Sequence, residues 1–254
     1  MKILVTGSEG HLGSYIIPIL EREGHTVNRL DLPLSVTSVD DLRNFEDSDV
    51  CIHLAGLKYA DRAELAPVQT VDVNVLGTWN VCEVFGNRVI TASTCKAADP
   101  ETVYGASKLI AERITLSAGG KVIRLVNVLG SVGSVTEIWG QIPPGDPLPV
   151  CDASRLFMSR ETAGQLFIDA IGWPAGRYAT TASTQMLMDE VAEKLYPGRA
   201  TTRIPLRRGD RRCERLLAAC EVSTPFGPDV IRIEGLHDPD PTLRQALAET
   251  TEGW

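Results

Sequence analysis

The sequence predicts an α/β fold built on a doubly wound parallel sheet, with a small C-terminal lobe that binds substrate. Three observations support this prediction. Apolar runs of strand length alternate with segments of helical apolar spacing, the strand runs are dense in Val, Ile and Leu, and a glycine-rich turn joins the first strand to the first helix. Strands buried on both faces have this composition, and a βαβ order makes them parallel. The expected arrangement is of the Rossmann type.

Five segments have the composition of buried strands and alternate with helical segments. The strands are KILVTG (2–7), HTVNRLDL (25–32), VCIHLAG (50–56), RVITAS (88–93) and KVIRLVNV (121–128). The helices between them are LGSYIIPILEREG (12–24), TVDVNVLGTWNVCEVFG (70–86) and YGASKLIAERITLSAG (104–119), each ending at a glycine.

The pattern changes near residue 130, where Pro/Gly-rich connections begin. Two helical stretches remain, SRETAGQLFIDAIG (159–172) and QMLMDEVAEKLYPG (185–198). We therefore expect a dinucleotide-binding core in residues 1–130. Residues 131–254 should form a mixed region, with a reduced substrate-binding lobe and elements that return to the core.

Composition excludes several classes of function. The net charge of −8 disfavours nucleic-acid binding, which needs excess cations, and no apolar run is long enough to span a membrane. The N-terminus enters a strand pattern at once, which predicts a cytoplasmic location. Six cysteines lack the spacing of a metal site or a disulfide framework, so we expect reduced thiols and no metal.

The glycine-rich turn VTGSEGHLG predicts a dinucleotide site. Gly7, Gly10 and Gly13 let the backbone approach a pyrophosphate at the helix N-terminus. Asp31 follows the second strand, where a carboxylate accepts hydrogen bonds from ribose hydroxyls and disfavours a 2′-phosphate, so the predicted cofactor is NAD. The alternatives are an ordinary strand–helix turn and an ordinary turn aspartate.

A second cluster lies in STCKAADPETVYGASK (93–108). Tyr104 and Lys108 are one helical turn apart, so the ammonium can stabilise a tyrosinate that acts as a base at neutral pH. Such a base takes the proton of a substrate alcohol while its hydride passes to nicotinamide, and Thr94 can orient that alcohol. The alternative is a surface helix pair.

These motifs resemble the extended short-chain dehydrogenase/reductase superfamily. Within it, the chain is most similar to the nucleotide-sugar dehydratase/epimerase branch related to UDP-N-acetylglucosamine 4,6-dehydratases. The matching stretches are VTGSEGHLG, VCIHLAGLKYADRAELAP, DVNVLGTWNV, STCKAADPETVYGASKLIAE, NVLGSVGSV and SRLFMSRETAGQLF. Family members usually run longer, so the C-terminal lobe is expected to be trimmed.

The resemblance implies roles for five residues. Thr94 and Tyr104 serve oxidation at C4 of the sugar, Lys108 supports Tyr104 and the cofactor ribose, and Lys96 is the base that removes the C5 proton. Cys95 occupies the slot of the acid that helps the C6 hydroxyl leave, where family members of the STDK form have aspartate.

A thiol is a weaker acid than a carboxyl, with an ordinary pKa of about 8.5 against about 3.9, yet it is protonated at pH 7. Some similar dehydratases carry this cysteine and release a 5,6-alkene, so both 4,6- and 5,6-dehydration stay open. In a 4-epimerase, Cys95 would be an apolar filler. Lys96 needs its pKa lowered to about 7 or 8 by burial and nearby cations, and its alternative is a solvated loop lysine.

The resemblance also implies the remaining binding residues. The cofactor contacts are Gly7, Gly10, His11, Leu12, Gly13, Asp31, Leu54, Ala55, Gly56, Asn74, Tyr104 and Lys108. The substrate contacts are Lys58, Asn127, Ser134, Arg155 and Arg208, with the two arginines facing a diphosphate. The other arginines of residues 203–215 are expected on a solvated helix face.

The expected function is that of an NAD-dependent dehydratase of a UDP-hexose such as UDP-N-acetylglucosamine. A 4-epimerase and a non-catalytic dinucleotide-binding regulator are the alternatives. In similar proteins, the helices at 70–86 and 104–118 form a dimer interface, so a homodimer is expected, with Trp79 in the core or at that interface. His53 is expected to have a structural role.

Overall fold

The computed structural model describes residues 1–207, 210–236 and 238 of the 254-residue chain. The strands are β1 (Lys2–Thr6), β2 (Thr26–Leu30), β3 (Val50–His53), β4 (Val89–Thr94), β5 (Lys121–Leu125), β6 (Asn127–Val128), β7 (Leu148–Val150), β8 (Ser154–Met158), β9 (Gly176–Thr180), β10 (Thr184–Leu187), β11 (Thr201–Arg203), β12 (Glu221–Gly227) and β13 (Val230–Gly235).

The helices alternate with the strands of the main sheet. They are α1 (Gly13–Arg22), α2 (Val39–Arg43), α3 (Ala60–Leu65), α4 (Pro67–Val71), α5 (Gly77–Phe85), α6 (Val103–Ser117), α7 (Val135–Gly140), α8 (Arg160–Asp169) and α9 (Met188–Leu195). None of the helices within the described residues is long and apolar enough to cross a membrane.

The main sheet has eight strands in the order β12-β13-β9-β5-β4-β3-β1-β2. Six neighbouring strands of this sheet, β9-β5-β4-β3-β1-β2, are parallel. Strand β13 runs antiparallel to β9, and β12 runs antiparallel to β13. The order reverses beside β1, so the carboxyl ends of β1, β3 and β4 open a crevice at the switch point. The predicted α/β class with a doubly wound parallel sheet is confirmed.

Several elements differ from the sequence-based expectation. The predicted helix at 70–86 is interrupted by a π-helical turn at Asp72–Leu76, and the start of the predicted helix at 185–198 is strand β10. The run at 121–128 splits between β5 in the main sheet and β6 in a three-stranded sheet with β8 and β10. The strands β9, β12 and β13 were not predicted. The proposed boundary at residue 130 stays a prediction.

Apolar side chains fill both faces of the sheet and a separate small core. One face packs α1 and α8 against the strands through Ile16, Leu20 and Phe167, and the other packs α5 through Val81 and Phe85. The third core joins α7, β7, β8 and α9. Its buried members are Trp139, Leu148, Val150, Ala153, Phe157, Met188, Val191 and Ala192.

A buried ion cluster ties α6 to three strands of the main sheet. Glu112 of α6 contacts Arg124 Nη2 of β5 at 2.7 Å and Arg177 Nε of β9 at 2.8 Å. Glu221, at the start of β12, contacts Arg124 Nη1 at 2.6 Å and Arg177 Nη1 at 3.0 Å. Ser93 Oγ also donates to Glu112 at 2.6 Å, so the cluster lies directly behind the end of β4.

Candidate active site

Most of the predicted site residues meet in one cleft of about 950 Å³ at the carboxyl ends of the parallel strands, whereas Asn74 and Cys95 do not line it. The predicted cofactor residues that line it are Gly7, Gly10, His11, Leu12, Gly13, Asp31, Leu54, Ala55, Gly56, Tyr104 and Lys108. The other predicted residues that line it are Lys58, Thr94, Lys96, Asn127, Ser134 and Arg155. Arg208 lies outside the described residues.

The glycine turn between β1 and α1 is tightly constrained. Gly7 has φ +68°, and a Cβ there would lie 2.8 Å from the Ala55 nitrogen. A Cβ on Gly13 would lie 2.5 Å from the Gly7 carbonyl oxygen. Neither glycine could carry a side chain without a clash with the backbone. The N-terminus of α1 faces the cleft.

Asp31 follows β2 and closes the same end of the cleft. Its Oδ2 accepts a hydrogen bond from the Glu9 backbone N–H at 2.9 Å, and its Oδ1 accepts one from Leu32 N–H at 3.0 Å. The carboxylate is thus fixed to the glycine turn and presents its charge to the cleft. Together with the bare glycine backbone, this arrangement fits the ribose and pyrophosphate of a dinucleotide.

Arg160 at the start of α8 forms hydrogen bonds to the glycine turn and to the start of α1. The sequence analysis did not identify this residue. Its Nε donates to the His11 carbonyl oxygen at 2.8 Å, its Nη2 donates to Ser14 Oγ at 2.8 Å, and its guanidinium lies over the Tyr15 ring. Burial and the charge of Arg160 lower the pKa of His11. His11 is therefore partly enclosed rather than simply exposed.

Asn74 acts from behind the cleft wall. Its Oδ1 accepts from Leu57 N–H at 2.8 Å, and its Nδ2 donates to the Leu57 carbonyl at 2.9 Å and to Ser107 Oγ at 3.0 Å. The side chain itself is buried, so it fixes the loop after β3 to α6. Its predicted contact with the cofactor stays a prediction.

His53 ends β3 and is structural, as expected. Its Nδ1 bonds to Thr6 Oγ1 at 2.8 Å and its Nε2 to Thr78 Oγ1 at 3.1 Å, so both ring nitrogens are satisfied by hydroxyls. Burial lowers the pKa of His53 to about 3. The ring is therefore neutral at ordinary pH.

Tyr104 and Lys108 begin α6 and face the cleft. The N-cap residue Thr102 accepts from Gly105 N–H and starts this helix. Burial raises the pKa of Tyr104, while the charge of Lys96 and a hydrogen bond with Thr94 lower it. Burial lowers the pKa of Lys108 to about 8. The charge of Lys96 therefore lowers the pKa of Tyr104 in this structure, and the expected support of Tyr104 by Lys108 stays a prediction.

Cys95 follows β4 but packs into the core that contains Ile123 and Leu125. Its residue is 1% exposed, and it is not among the described residues that line the cleft. Burial and the charge of Glu214 raise the pKa of the thiol to about 11. The thiol is protonated, yet it lies in the position expected of an apolar filler.

Lys96 lies on the cleft wall and is paired with a carboxylate that the sequence did not reveal. Its Nζ donates to Glu214 Oε1 at 2.6 Å and to Asn127 Oδ1 at 3.4 Å. Burial lowers the pKa of Lys96, but the ion pair with Glu214 more than offsets this, and the pKa is raised overall. The expectation of a lowered pKa is wrong for this state of the protein.

The predicted substrate arginine, Arg155 of β8, is 8% exposed and already has partners. Its Nη1 donates to the carbonyl oxygens of Ser154 and Arg211, and its Nη2 lies 3.6 Å from Asp210 Oδ2. Arg207, which also lines the cleft, is exposed. A diphosphate contact by Arg155 stays a prediction.

The other arginines of residues 203–215 do not lie on a helix face. Arg211 is buried and donates to the carbonyl oxygens of Ala98 and Asp99, which anchors the loop after β4. Arg212 is exposed and pairs with Asp152 at 2.8 Å. The expectation failed because a run of cations on an irregular segment resembles a solvated helix face.

Lys58 and Ser134 both line the cleft. Burial lowers the pKa of Lys58, and the charge of Glu137 opposes this. Ser134 is the N-cap of α7, where its Oγ accepts from Glu137 N–H. Its hydroxyl therefore has a structural partner in addition to its place on the cleft wall.

Comparison with known proteins places this site in a family. Residues 32–231, more than half of the chain, match the model of a family described as polysaccharide biosynthesis protein. The chain belongs to this family. Membership confirms the predicted assignment to the extended short-chain dehydrogenase/reductase superfamily and its nucleotide-sugar dehydratase/epimerase branch.

The chain is similar to three relatives with different names. An uncharacterized membrane protein of Methanocaldococcus jannaschii is 34% identical over 206 residues, covering 66% of this chain and 62% of its own. A UDP-N-acetylglucosamine 4,6-dehydratase (inverting) of Campylobacter jejuni is 26% identical over 264 residues, covering 86% and 78%. A UDP-glucose 4-epimerase of Rickettsia rickettsii is 28% identical over 213 residues, covering 73% and 62%. The chain thus spans about three fifths to four fifths of these relatives.

A solved structure has the same fold along nearly the whole chain. Pen from Bacillus thuringiensis superposes with a TM-score of 0.83 at 21% identity, covering 98% of each chain. At this identity, the likeness extends to the fold alone.

Proposed function

We propose that this protein is an NAD-dependent nucleotide-sugar dehydratase that acts on a UDP-hexose such as UDP-N-acetylglucosamine. The observation that carries the proposal is the Lys96–Glu214 pair, whose amine lines the cleft together with Tyr104 while its buried carboxylate lies behind the cleft wall. An enzyme that only oxidises and re-reduces C4 has no use for a further proton-carrying pair. Elimination of water requires one, because a proton must leave C5 and another must reach the C6 oxygen.

The glycine turn and Asp31 would hold the cofactor. The glycine turn would receive the pyrophosphate at the N-terminus of α1, and Asp31 would accept from the adenosine ribose. Asp31 also disfavours the extra phosphate of NADP, because like charges repel. When bound, NAD supplies the acceptor for the hydride of C4 and the donor that returns it.

Thr94 and Tyr104 would act on the C4 hydroxyl. Thr94 ends β4 and Tyr104 begins α6, so their hydroxyls reach the cleft from adjacent elements. Tyr104 would take the hydroxyl proton as a general base, and Thr94 would orient the sugar oxygen. Because burial raises the pKa of Tyr104, this role depends on the positive charge of Lys96, which lowers that pKa.

Lys96 would handle the protons at C5 and C6. Once C4 is a ketone, the neighbouring C5–H is acidified, and an amine on the cleft wall can remove that proton. The resulting ammonium can then protonate the leaving C6 hydroxyl. The buried Cys95 thiol would reach that hydroxyl only if the end of β4 moved, whereas Lys96 already lines the cleft.

The part of the cleft lined by Lys58, Arg155 and Arg207 would bind the sugar nucleotide. Arg207 and Lys58 are exposed cations on its wall, and Arg155 lies deeper. Cations in such a position suit a diphosphate. Asn127, whose amide also reaches Glu214, would contact the sugar.

A 4-epimerase is the second candidate, favoured by the burial of Cys95. A thiol packed among Ile123 and Leu125 has the environment of an apolar filler, which is what an enzyme without an acid at this slot would show. The same C4 oxidation would then be followed by return of the hydride to the opposite face.

The product mass separates the two candidates. The protein, supplied with NAD, is incubated with a panel of UDP- and dTDP-hexoses, and the nucleotide sugars are analysed by mass spectrometry and proton NMR. Loss of one water supports dehydration, and the position of the new alkene or methyl group distinguishes 5,6- from 4,6-dehydration. An isobaric C4 epimer contradicts the dehydratase and supports the epimerase. Binding of NAD without turnover of any sugar nucleotide would instead indicate a regulator.

A cytoplasmic homodimer completes the proposal. Exposed apolar side chains cluster on α4, α5 and α6, the helices that form the dimer interface in similar proteins. They include Val68, Val71, Trp79 and Ile110, and Leu76 is exposed in the π-helical turn between α4 and α5, so Trp79 is not a core residue. The six cysteines are free thiols, as suits a reducing compartment. Light scattering and the variant Trp79→Glu test the dimer.

A further inference from the structure

Glu214 is the buried carboxylate of the Lys96–Glu214 pair, and the steps proposed above assign it no role of its own. Its side chain is 2% exposed, and it lies on the segment that follows β11. Its Oε1 accepts from Lys96 Nζ at 2.6 Å, and its Oε2 accepts from Asn127 Nδ2 at 2.5 Å and from Leu156 N–H at 3.3 Å. Arg155 Nε lies 3.7 Å from Oε1. The carboxylate therefore sits behind the cleft wall and reaches the cleft only through Lys96.

We propose that Glu214 is a positioning residue for Lys96: it fixes the amine on the cleft wall and takes the proton that the amine must lose before acting as a base. This inference rests on the proposed dehydratase function. It adds a residue more than a hundred positions away in the chain to the group that performs the C5 and C6 steps.

The proton steps balance within the pair. In the resting protein, Lys96 is an ammonium and Glu214 a carboxylate. One proton moves from Nζ to Oε1, which leaves a neutral amine beside a neutral carboxylic acid. The amine then takes the C5 proton and becomes an ammonium, and the same proton passes to the C6 oxygen, which leaves as water. Glu214 finally returns its proton to Lys96.

The surroundings of Lys96 explain why the pair can exist in both forms. The groups that face its ammonium are Glu214, the Cys95 thiol, the Tyr104 phenol and the Asn127 amide. Burial lowers the pKa of Lys96 and Glu214 raises it, so the amine stays charged only while the carboxylate stays ionised. A buried ion pair and its neutral form differ little in free energy when the site loses water, because desolvation penalises both charges.

The segment that carries Glu214 is anchored on both sides of it. Arg211 donates to the carbonyl oxygens of Ala98 and Asp99, three residues before Glu214. After it, the Leu216 carbonyl oxygen accepts from Arg124 Nη1 at 2.9 Å, and Ala219 N–H donates to Asp99 Oδ2 at 2.9 Å. These contacts tie the segment to the loop that carries Lys96 itself, so the distance between the two charges is fixed by backbone as well as by side chains.

The variant Glu214→Gln tests the proposal. Glutamine keeps the shape and can still meet Asn127, but it cannot hold an ammonium or accept a proton. In D₂O with UDP-N-acetylglucosamine and NAD, deuterium incorporation at C5 is followed by mass spectrometry from pH 6 to 10. In this variant, burial still lowers the pKa of Lys96, but the carboxylate that raises it is gone. The acid limb of the pH profile for C5 exchange should therefore move to lower pH by roughly one to three units. A profile that matches the wild type would overturn the proposal.

Glu101→Gln is the matched control. Glu101 is a 74% exposed glutamate that lies 3.7 Å from Arg211, on the same side of the segment, and it is not among the described contacts of Lys96. Its loss removes one negative charge near the segment without touching the pair. An equal shift in both variants would attribute the effect to net charge and would also overturn the proposal.

A direct titration covers the case in which Glu214→Gln does not fold. In the wild type, the ¹⁵N-labelled Nζ of Lys96, assigned by its loss in Lys96→Met, is followed by NMR against pH. A pKa above the ordinary lysine value supports the pair, and a pKa below it overturns the proposal. The two proposals fail separately: if the wild type neither exchanges C5–H nor loses water with any sugar nucleotide, the dehydratase function is wrong, whatever Glu214 does.

Discussion

Replacing Glu112 by glutamine should destabilise the protein far more than an ordinary charge deletion. Glu112 is fully buried on α6 and holds two arginines, Arg124 and Arg177, through contacts of 2.7 and 2.8 Å. Glutamine has nearly the same shape, but it carries no charge and turns an N–H₂ toward one of the guanidinium groups. Both arginines are 0% exposed at the side chain, so neither can regain water.

The magnitude follows from the cost of leaving a buried charge without its partner. Removing one member of a buried ion pair costs about 3 to 5 kcal/mol of unfolding free energy. Glu221 still faces both arginines, which keeps the estimate within that range. For a domain of this size, about 1 kcal/mol corresponds to roughly 2 to 4 °C in Tm, so Glu112→Gln should melt roughly 6 to 20 °C below the wild type.

Urea denaturation followed by circular dichroism measures the change, with a surface pair as the matched control. Glu21 pairs with Arg29 at 2.8 Å, and both side chains are about half exposed. Glu21→Gln should therefore cost at most about 1 kcal/mol. If Glu112→Gln loses no more stability than Glu21→Gln, the cluster does not hold α6 against the sheet in the way described above.

Three further predictions concern single residues of the site. Tyr104→Phe should lower turnover of the sugar nucleotide by about 10² to 10⁴, because the general base is lost, while NAD binding measured by calorimetry stays unchanged; a drop below tenfold would remove Tyr104 from the reaction. Cys95→Ala should change turnover by less than fivefold and lower the urea midpoint, because the thiol packs in the core; a loss above a hundredfold would return the acid role to Cys95. The pKa of His53 is lowered to about 3 by burial, so the unfolded chain binds one more proton than the folded one between that value and the ordinary 6.5, and stability is lost as pH falls through this window. Between pH 7 and 4.5, His53→Gln should therefore lose roughly 2 to 3 kcal/mol less unfolding free energy than the wild type, and equal losses would contradict the assignment.

The parts of the fold that could be predicted from sequence depend on local patterns. The close approach at Gly13 is to the backbone of Gly7 and Ser8 in the same turn, and the Tyr104–Lys108 spacing is set by one turn of helix. Strands β1, β3 and β4 are almost entirely buried, and their apolar residues follow one another instead of alternating with exposed polar residues. In each case the residues that create the pattern are also the residues that contact one another.

The elements that were missed depend on partners distant in the chain. Strand β9 contains Arg177, which looks unsuitable for a buried strand until Glu112 and Glu221 are seen to neutralise it. An arginine inside an otherwise apolar run, as at Arg124, is a signal that could have been used. It demands a buried carboxylate from elsewhere, although the sequence does not say which one.

Glu214 was missed for the same reason, and with a larger consequence for the chemistry. It lies within a run of arginines, where a glutamate is most simply explained as a surface charge pair. The resemblance placed Lys96 in the reaction from its position after β4 alone, without revealing the carboxylate that raises its pKa. Motifs identify the groups that react, whereas the protonation state of those groups depends on neighbours that only the fold supplies.

The two charge networks meet at the loop that carries the reactive residues, and this explains why the C-terminal part of the chain matters to a site built mainly from the N-terminal half. Asp99 in that loop has φ 46°, a left-handed conformation that is uncommon for a residue with a side chain, and contacts from the C-terminal part of the chain hold it in place. Arg211 and Ala219 supply that hold by bonding to its carbonyl oxygen and its carboxylate. Arg124 binds the Leu216 carbonyl oxygen between them and belongs to the buried cluster behind β4. The backbone that presents Lys96 and the segment that carries Glu214 are thus fixed by one continuous set of contacts.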